Sequence, residues 1–323
     1  MSNQSFLPFE PSGESNFTLT TSEIIENALD ILQVGSDGED VEPEVYSRSL
    51  DQLNLCIKEM QTNGLSIATY RTAFLFLVQG QYEYIVEDSE VTNEYFQTTL
   101  SADVVSPTTT IPLTDISNYE VGDRIGIYKN DGNLFWSTVD SITPTVSPAG
   151  DVEIADSIDG DADEGCDVLN YKEKASITDR VWKTMRRDNL NTDIPITQLS
   201  RDEYENLPFK EEQSGTISQA YYWRARDKGR FFLWQPPQDS RQILRFTYEK
   251  KIDDMIRPTD ALDMDDVYLP YIVQHLAYRM CNRLGISSEI YQRVKEEFYE
   301  IRDSALTYDS EVTDFKITLQ RNQ

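Results

Sequence analysis

Residues 20–64, TTSEIIENALDILQVGSDGEDVEPEVYSRSLDQLNLCIKEMQTNG, decide the fold, because they contain two amphipathic helical patterns separated by a polar loop. The first pattern follows a capping box formed by Thr20 and Glu23 and ends at Gly35. The second begins with Pro43 in a first turn and repeats apolar residues every three or four positions. The second stripe is too short for an extended coiled coil, so the two patterns predict an antiparallel helix pair packed in a larger core.

The C-terminal part of the chain returns to the same helical periodicity. One apolar stripe covers residues 269–284, with Pro270 in its first turn, and a second covers residues 290–305. The four helices together predict a helical bundle core drawn from both halves of the chain. The predicted core residues are Leu50, Leu53, Ile57, Leu276 and Met280.

The segments between these helices have the composition of β-strands. Residues 67–86 predict two strands around a Gly-Gln turn. The segments AYYWRA and RFFLWQ, followed by QILRFTYEK, predict a three-stranded antiparallel meander. Before them, Ser200 and Glu203 frame a short helix that Pro208 stops.

Residues 88–169 contain short β segments parted by turns rich in Gly, Asn and Pro, which predicts an inserted small all-β domain, either a barrel or a sandwich. The predicted fold class is therefore α+β, with a helical bundle core, a flanking antiparallel sheet and this insertion. The predicted divisions are an N-terminal arm at 1–19, a discontinuous core at 20–87 and 170–308, the insertion at 88–169 and a C-terminal tail at 309–323. The tail has strand-like composition without an obvious partner in the chain, which suggests exchange with another subunit.

Acidity dominates the composition, since 57 acidic residues stand against 29 basic ones and give a net charge of −28. Residues 1–64 carry 12 acids and 2 bases, and residues 88–169 carry 17 and 2. Residues 170–262 differ, with 15 acids and 17 bases. A surface this negative disfavours ordinary nucleic-acid binding, because it repels the phosphate backbone.

Several protein classes are disfavoured by what the sequence lacks. No apolar run is long enough to span a bilayer and the N-terminus lacks the layout of a signal peptide, so we expect synthesis in a cytoplasm and no membrane partner. The three cysteines are far apart, and His275 is the single histidine that could help them bind a metal. We expect no disulfide, metal or cofactor, and we expect Cys56 and Cys281 to be small buried residues.

No catalytic constellation is present, because the sequence has no phosphate loop, nucleophile elbow, zinc-binding HExxH or kinase set. His275 lies mid-helix among apolar neighbours, where a packing or interface role is favoured. The two catalytic carboxylates that a glycosidase needs cannot be identified among 57 acidic residues. The acidic run 159–165 resembles a calcium loop only in part, because Glu164 replaces a required glycine and Asn170 a terminal glutamate, so a solvated acidic turn is favoured. No catalytic residue is predicted.

Two basic groups and the tail are the candidate interfaces. The residues of the first group, between positions 180 and 187, are spaced by three and four, which predicts one face of a helix. Those of the second group, between positions 224 and 230, are predicted to lie at the tip of a hairpin. A salt-bridged seam between neighbouring subunits is favoured over nucleic-acid contact. Aromatic residues in 221–223 and 231–234 could stack on bases, but core or interface packing is favoured. The candidates are Arg180, Lys183, Arg186 and Arg187, then Arg224, Arg226, Lys228 and Arg230, and in the tail Phe315, Ile317 and Leu319.

The order of these elements resembles the head-to-tail adaptor proteins of short-tailed bacteriophages. The helix pair of residues 20–64 followed by FLVQGQYEYIV is similar to the opening of that family. The later segments ITQLSRDEYENLP, AYYWRARDKGRFFLWQPPQDSRQILRFTYEKKIDDM and YLPYIVQHLAYRMCNRLG resemble its later strands and closing helices. The resemblance covers residues 20–86 and 195–308, while residues 88–169 depart from the family pattern.

The resemblance implies a structural virion protein that forms a ring, typically of twelve copies, below the portal. Such a ring extends the DNA channel, joins head to tail and is assembled in the host cytoplasm. The implied partners are the chain itself, the portal protein, a downstream tail or nozzle protein, tail fibres as a further candidate, and double-stranded DNA that passes without specific binding. The alternatives are a peptidoglycan-degrading tail enzyme and a nucleic-acid-binding factor. The enzyme would lower the turbidity of a cell-wall suspension, and the binding factor would be retained on DNA in a salt-dependent manner.

Overall fold

A computed structural model describes residues 17–34, 42–62, 70–175, 180–188, 191–208, 210, 214–225, 228–250, 252–262, 264 and 266–309. The chain forms two compact units. The first contains residues 1–69 and 252–323, and the second contains residues 70–251. Mixed α+β architecture with several antiparallel sheets is confirmed. The predicted domain limits differ from this division and stay a prediction.

The helices of the first unit follow the apolar stripes closely. Thr20 and Glu23 form the predicted capping box, in which the backbone N–H of Thr20 donates to the Glu23 carboxylate at 2.8 Å. Gly285, with φ of 65°, ends a later helix in the left-handed region that glycine adopts without strain. The α-helices in chain order are α1 Thr21–Ile31, α2 Pro43–Thr62, α3 Arg201–Glu205, α4 Leu269–Leu284 and α5 Ser288–Asp309.

Helices α1, α2, α4 and α5 share one hydrophobic core, and α4 packs against each of the other three. The predicted core residues Leu53, Ile57, Leu276 and Met280 are fully buried, while Leu50 is half-buried at the edge of the same cluster. The first unit therefore joins an N-terminal and a C-terminal helix pair, because neither pair can bury its apolar face alone.

The second unit is built from strands and the short helix α3, which begins at the predicted Ser200–Glu203 capping box. Its strands form a five-stranded, a four-stranded and a six-stranded sheet. In chain order the strands are β1 Tyr70–Phe76, β2 Glu83–Ile85, β3 Val91–Thr92, β4 Phe96–Thr99, β5 Thr110–Leu113, β6 Arg124–Tyr128, β7 Leu134–Pro144, β8 Gly150–Ile154, β9 Asp167–Tyr171, β10 Val181–Arg187, β11 Asp193–Pro195, β12 Thr197–Gln198, β13 Gln219–Trp223, β14 Arg230–Trp234 and β15 Ile243–Glu249.

The predicted three-stranded meander is wrong. Strands β13 and β14 do pair as a hairpin, but the next neighbour of β14 is β2, while β15 pairs with β1 and β10 in the five-stranded sheet. The four-stranded sheet, in the order β12-β13-β14-β2, shares a core with the five-stranded sheet. Phe231 and Phe246 meet across this core with ring centroids 4.7 Å apart. The chain passes from the four-stranded sheet to the five-stranded sheet between β14 and β15, because each of these two strands buries one apolar face in the same core.

The six-stranded sheet, in the order β4-β9-β6-β7-β8-β5, spans residues 96–171. Its two end strands also meet, because the backbone N–H of Ser101 donates to the carbonyl of Pro112 and that of Thr114 donates to the carbonyl of Thr99, each at 3.0 Å. The sheet thus closes on itself around its own hydrophobic cluster. We call residues 96–171 the closed sheet.

Cys56 and Cys281 are buried, as predicted, and Cys166 is half-buried. Burial raises the pKa of the Cys56 thiol to about 12, which keeps it protonated and unreactive at neutral pH. Among the residues that the structure describes, no helix is long and apolar enough to cross a bilayer.

Candidate interaction surfaces

The first basic group does not lie on a helix, and that prediction is wrong. Lys183, Arg186 and Arg187 belong to strand β10, and Arg180 directly precedes it. The Val-Trp-Lys-Thr-Met sequence, rich in β-branched and aromatic residues, pairs with β15 and overrides the helical spacing of the charges. Because side chains alternate across a strand, the four cations do not share one face.

Arg187 is committed to partners inside the chain. Its Nε donates to Asp193 Oδ1 at 2.8 Å and its Nη2 donates to Oδ2 at 3.1 Å, while Arg245 pairs with the same carboxylate. Its guanidinium lies 5.0 Å from the centre of the Phe74 ring. The hydrogen bonds from Arg187, assisted by Arg245, lower the pKa of Asp193. A bidentate pair of this kind fixes β10 to β11 and leaves little of Arg187 for another subunit.

Arg187 also borders an open cavity of about 350 Å³. Tyr95 is held at this cavity by edge contacts with Phe74 and Phe76 and accepts a hydrogen bond from Arg187 Nη1 at 3.3 Å. The remaining lining comes from Asn93, Glu94, Gln97 and Asn191.

The other cations of the first group are more available. Arg180 and Lys183 are exposed, and within the described residues no carboxylate forms an ion pair with either. Arg186 donates to the carbonyl of Ile217 at 3.3 Å and is half-buried. Arg180 and Lys183 are therefore the members of this group that remain open to an acidic partner.

The second basic group has intrachain partners as well. Lys228 pairs with Asp88 at 2.7 Å, and Arg230 pairs with Glu83 at 2.8 Å. Arg224 is exposed, whereas Arg226 lies outside the described residues, as do the tail candidates Phe315, Ile317 and Leu319. Sequence reasoning found these cations but missed the acids that pair with them, which come from around β2, more than 130 positions away in the chain.

The aromatic residues of the β13–β14 hairpin divide between its two faces. Phe231 and Leu233 point into the core, whereas Tyr221, Trp223 and Phe232 lie on the outer face. Tyr204 of α3 covers part of that face, and its ring stacks on Tyr221 with centroids 5.8 Å apart and lies tilted against Phe232 with centroids 5.5 Å apart. Beside this stack lies an aromatic groove of about 140 Å³, lined by Arg201, Tyr204, Glu205, Tyr221, Trp223 and Phe232.

The acidic run 159–165 forms hydrogen bonds within the closed sheet. Asp159 accepts from Lys129 Nζ at 2.9 Å, Asp161 accepts from the backbone N–H of Ser106 at 2.9 Å, and Asp163 accepts from Asn130 at 2.8 Å. The three carboxylates are therefore turned to different donors. In the described part of the chain, no group of three or more His, Cys, Asp or Glu side chains is arranged to hold a metal ion.

His275 is buried in the helical core. Its Nε2 accepts a hydrogen bond from Arg279 Nε at 3.4 Å and lies 3.6 Å from the carboxylate of Glu59. Its ring stacks on Phe298 with centroids 4.9 Å apart. Burial lowers the pKa of His275 to about 4, so the ring is neutral at physiological pH. A packing role, as favoured from the sequence, fits this environment.

Glu90 is a half-buried carboxylate of the second unit that is held by several donors. Arg124 Nη2 donates to Oε1 at 2.5 Å, the Tyr171 hydroxyl donates to Oε2, and Lys174 lies 3.7 Å away. Burial alone would raise the pKa of Glu90, but the bonds from Arg124 and Tyr171 lower it overall. Glu90 is therefore a fixed anion that holds the segment before β3 to the closed sheet, and it is poorly suited to act as a general acid.

Replacing Glu90 with glutamine is expected to lower the free energy of unfolding by about 2 kcal/mol, because Arg124 loses its anion while staying partly buried. Tryptophan fluorescence during denaturant unfolding reports on this site, since Trp136 lies 5.6 Å from the Tyr171 ring. Glu94→Gln, at an exposed carboxylate nearby, is the matched control and should change stability by less than about 0.5 kcal/mol. Equal effects of the two substitutions would contradict this account of Glu90.

Comparison with known families places the similarity in the second half of the chain. Residues 175–313 match the family model described as SU10 adaptor protein. The matched stretch begins before β10 and includes both C-terminal helices. No curated protein matches the chain. The resemblance to phage adaptor proteins is therefore confirmed for this stretch, while the resemblance of residues 20–86 stays a prediction.

Proposed function

We propose that this chain is a structural virion protein that forms a ring below the portal and joins the head to the tail of a short-tailed phage. The match of residues 175–313 to a phage adaptor family carries the proposal. A ring is consistent with cyclic symmetry, the commonest way in which identical subunits close around an axis. Twelve copies are our expected number.

The first structural support is the way in which the helices complete one another. Helices α4 and α5 belong to the matched stretch, and α1 and α2, which lie outside it, pack against α4 in the same hydrophobic core. We take the four as the bundle core of the adaptor. The N-terminal helix pair is then part of the same body as the family-like region.

The second support is electrostatic. A net charge of −28 favours a channel wall that repels phosphate groups over one that binds them. Double-stranded DNA would then pass through the lumen without specific binding. Arg187, Lys228 and Arg230 fit this role, because they are paired with acids inside the chain instead of being offered to DNA.

The closed sheet is the proposed insertion of the adaptor. It lies almost wholly within residues 88–169, which carry 17 acids and 2 bases. We propose that it presents an acidic surface to a downstream tail or nozzle protein or to tail fibres. The portal and the chain itself are the remaining proposed partners, and the head–tail junction of the virion is the proposed location.

Sedimentation of the protein with and without its portal tests the proposal. We expect the mixture to contain a fast-sedimenting species with a fixed ratio of the two proteins. The ratio is fixed because a closed ring bound to the portal ring contains a set number of subunits. An unrelated ring protein of similar size serves as the control partner. Independent sedimentation of chain and portal, with both termini intact, would count against the adaptor function.

A further inference from the structure

We propose that two surfaces of the second unit meet between neighbouring copies of this chain. One is the cation patch, formed by Arg180, Trp182 and Lys183 at the beginning of β10. The other is the acidic strip, formed by Asp151 and Glu153 on β8 of the closed sheet. The contact rests on the proposed ring, in which each copy must touch the next. Both surfaces lie in one unit and consist of described residues.

A β-bulge brings the two cations of the patch onto one side of the five-stranded sheet. The backbone N–H of Glu249 donates to the carbonyl of Arg180 at 2.9 Å, and Lys183 lies opposite Thr247. The chain from Arg180 to Lys183 therefore advances by only two positions along β15, because the bulge absorbs one residue. Residues two positions apart on a strand point the same way, so the two cations share a side about 7 Å apart.

Trp182 makes this patch suitable for contact with a protein. It is the extra residue of the bulge, it is 50% exposed, and its ring packs edge-on against Tyr70 with centroids 5.6 Å apart. Arg180 and Lys183 beside it are exposed, and no carboxylate in the described ranges forms an ion pair with either. Tryptophan and arginine are enriched among the residues that dominate binding energy, and two unpaired cations favour an acidic partner.

The acidic strip has the complementary charge and a matching spacing. Val152 is fully buried in the closed sheet, so Asp151 and Glu153 on either side of it point outward, also about 7 Å apart. The hydroxyls of Thr109 and Thr110 donate to the Glu153 carboxylate at 3.0 Å and 2.6 Å and hold it in place. Across the part of the chain that the structure describes, no cation forms an ion pair with either acid.

The patch and the strip lie at different places on one copy, which favours contact with the next copy. The closed sheet packs on the five-stranded sheet through Tyr128, Trp136 and Tyr171, and the described cluster that they form contains no residue of β8. Contact between two different surfaces of identical subunits is head-to-tail, and such contacts close into a ring when the rotation allows. The other acids of the closed sheet remain for the proposed tail partners.

Zero-length cross-linking of the full-length protein bound to its portal tests the contact. A carbodiimide joins a lysine amine directly to a carboxylate, so we expect Lys183 to be coupled to Asp151 or Glu153. In a mixture of light and isotope-labelled protein, mass spectrometry should find cross-links that join a light chain to a heavy one. A portal-bound ring in which Lys183 couples elsewhere, or only within single chains, would overturn the contact and leave the ring in place. Absence of any portal-bound species would contradict the proposed function, and this contact with it.

Charge reversal followed by mixing provides a second test. The patch variant carries Arg180→Glu and Lys183→Glu, and the strip variant carries Asp151→Lys and Glu153→Lys. Each is expected to reduce the amount of portal-bound protein by at least about fivefold, because like charges then face each other at every contact. An equimolar mixture of the two variants should restore assembly, since alternating copies again place opposite charges together.

Controls separate this contact from a general effect of charge. Arg241→Glu with Arg283→Glu makes the same change of charge at two other exposed cations and should leave assembly unchanged. Trp182→Ala keeps the charge and should reduce portal-bound protein by at least about threefold, which keeps the test decisive if a charge-reversed chain does not fold. Failure of two folded variants to recover on mixing, or an equal loss in the control, would overturn the contact. Binding of wild-type protein but not of the patch variant to DNA at physiological salt would overturn it too, since it would assign the cations to phosphate groups.

Discussion

Replacing Ile57 with alanine is expected to lower the free energy of unfolding by about 3 kcal/mol. Ile57 is fully buried on α2, in the core that α2 shares with α4. Removing three carbons there loses their burial and leaves a cavity that the surrounding helices fill only in part. Because α2 lies outside the family-like stretch, the result measures how far the N-terminal helices stabilise the C-terminal ones.

Far-ultraviolet circular dichroism during denaturant unfolding is the suitable signal for this change. Four of the five α-helices in the described residues belong to the first unit, whereas the four tryptophans lie in the second. Leu55→Ala is the matched control on the same helix, since Leu55 is 50% exposed and should cost less than about 0.5 kcal/mol. If Ile57→Ala were as mild as Leu55→Ala, the shared helical core would be wrong.

Acidification is expected to destabilise the helical core through His275. Its folded pKa of about 4 lies below the unfolded value of 6.5, so the unfolded state binds the proton more readily. The stabilising contribution of the neutral ring is complete above pH 6.5 and is lost as the pH falls towards 4. Over that interval it amounts to about 3 kcal/mol, from about 1.4 kcal/mol for each pKa unit.

His275→Phe isolates this contribution, because phenylalanine keeps a flat ring against Phe298 and cannot be protonated. The difference in unfolding free energy between variant and wild type should shift by about 3 kcal/mol in favour of the variant between pH 7 and pH 4. Other acids titrate in both proteins and cancel in the difference. Since the chain has a single histidine, nuclear magnetic resonance can also follow its ring directly. A titration midpoint near 6.5 in the folded protein would contradict the buried environment of His275.

Local signals in the sequence were sufficient for the helices. The capping boxes at Thr20–Glu23 and Ser200–Glu203 are both formed, and the apolar stripes coincide with the buried faces. These features depend on residues three or four positions apart, which a single sequence displays directly. The same holds for the alternation that predicted β13 and β14.

Pairing between distant segments could not be derived in the same way. The spacing of Lys183, Arg186 and Arg187 favoured a helix, and only the β-branched and aromatic residues between them indicated the strand that forms. The hairpin preference predicted β15 beside β14, but burial of Phe231 and Phe246 on opposite sides of one core places β15 in the other sheet. Sheet order is decided by such long-range burial, which periodicity does not encode.

The candidate surfaces were predictable in composition but not in geometry. The sequence indicated clustered cations and aromatic residues, yet it did not show that Asp193, Asp88 and Glu83 pair with three of the cations. It also did not show that Tyr204 covers one side of the aromatic face and leaves Trp223 exposed. The Lys228–Asp88 and Arg230–Glu83 pairs join elements far apart in the chain, so they follow from the fold and not from local pattern.

Electron microscopy of the protein mixed with its portal tests the central claim most directly. The proposed function predicts a second ring of density, coaxial with the portal, with an open channel on the shared axis and with the closed sheet of each subunit repeated around it. Portal particles that remain bare at saturating concentrations of folded, full-length protein would contradict the adaptor function.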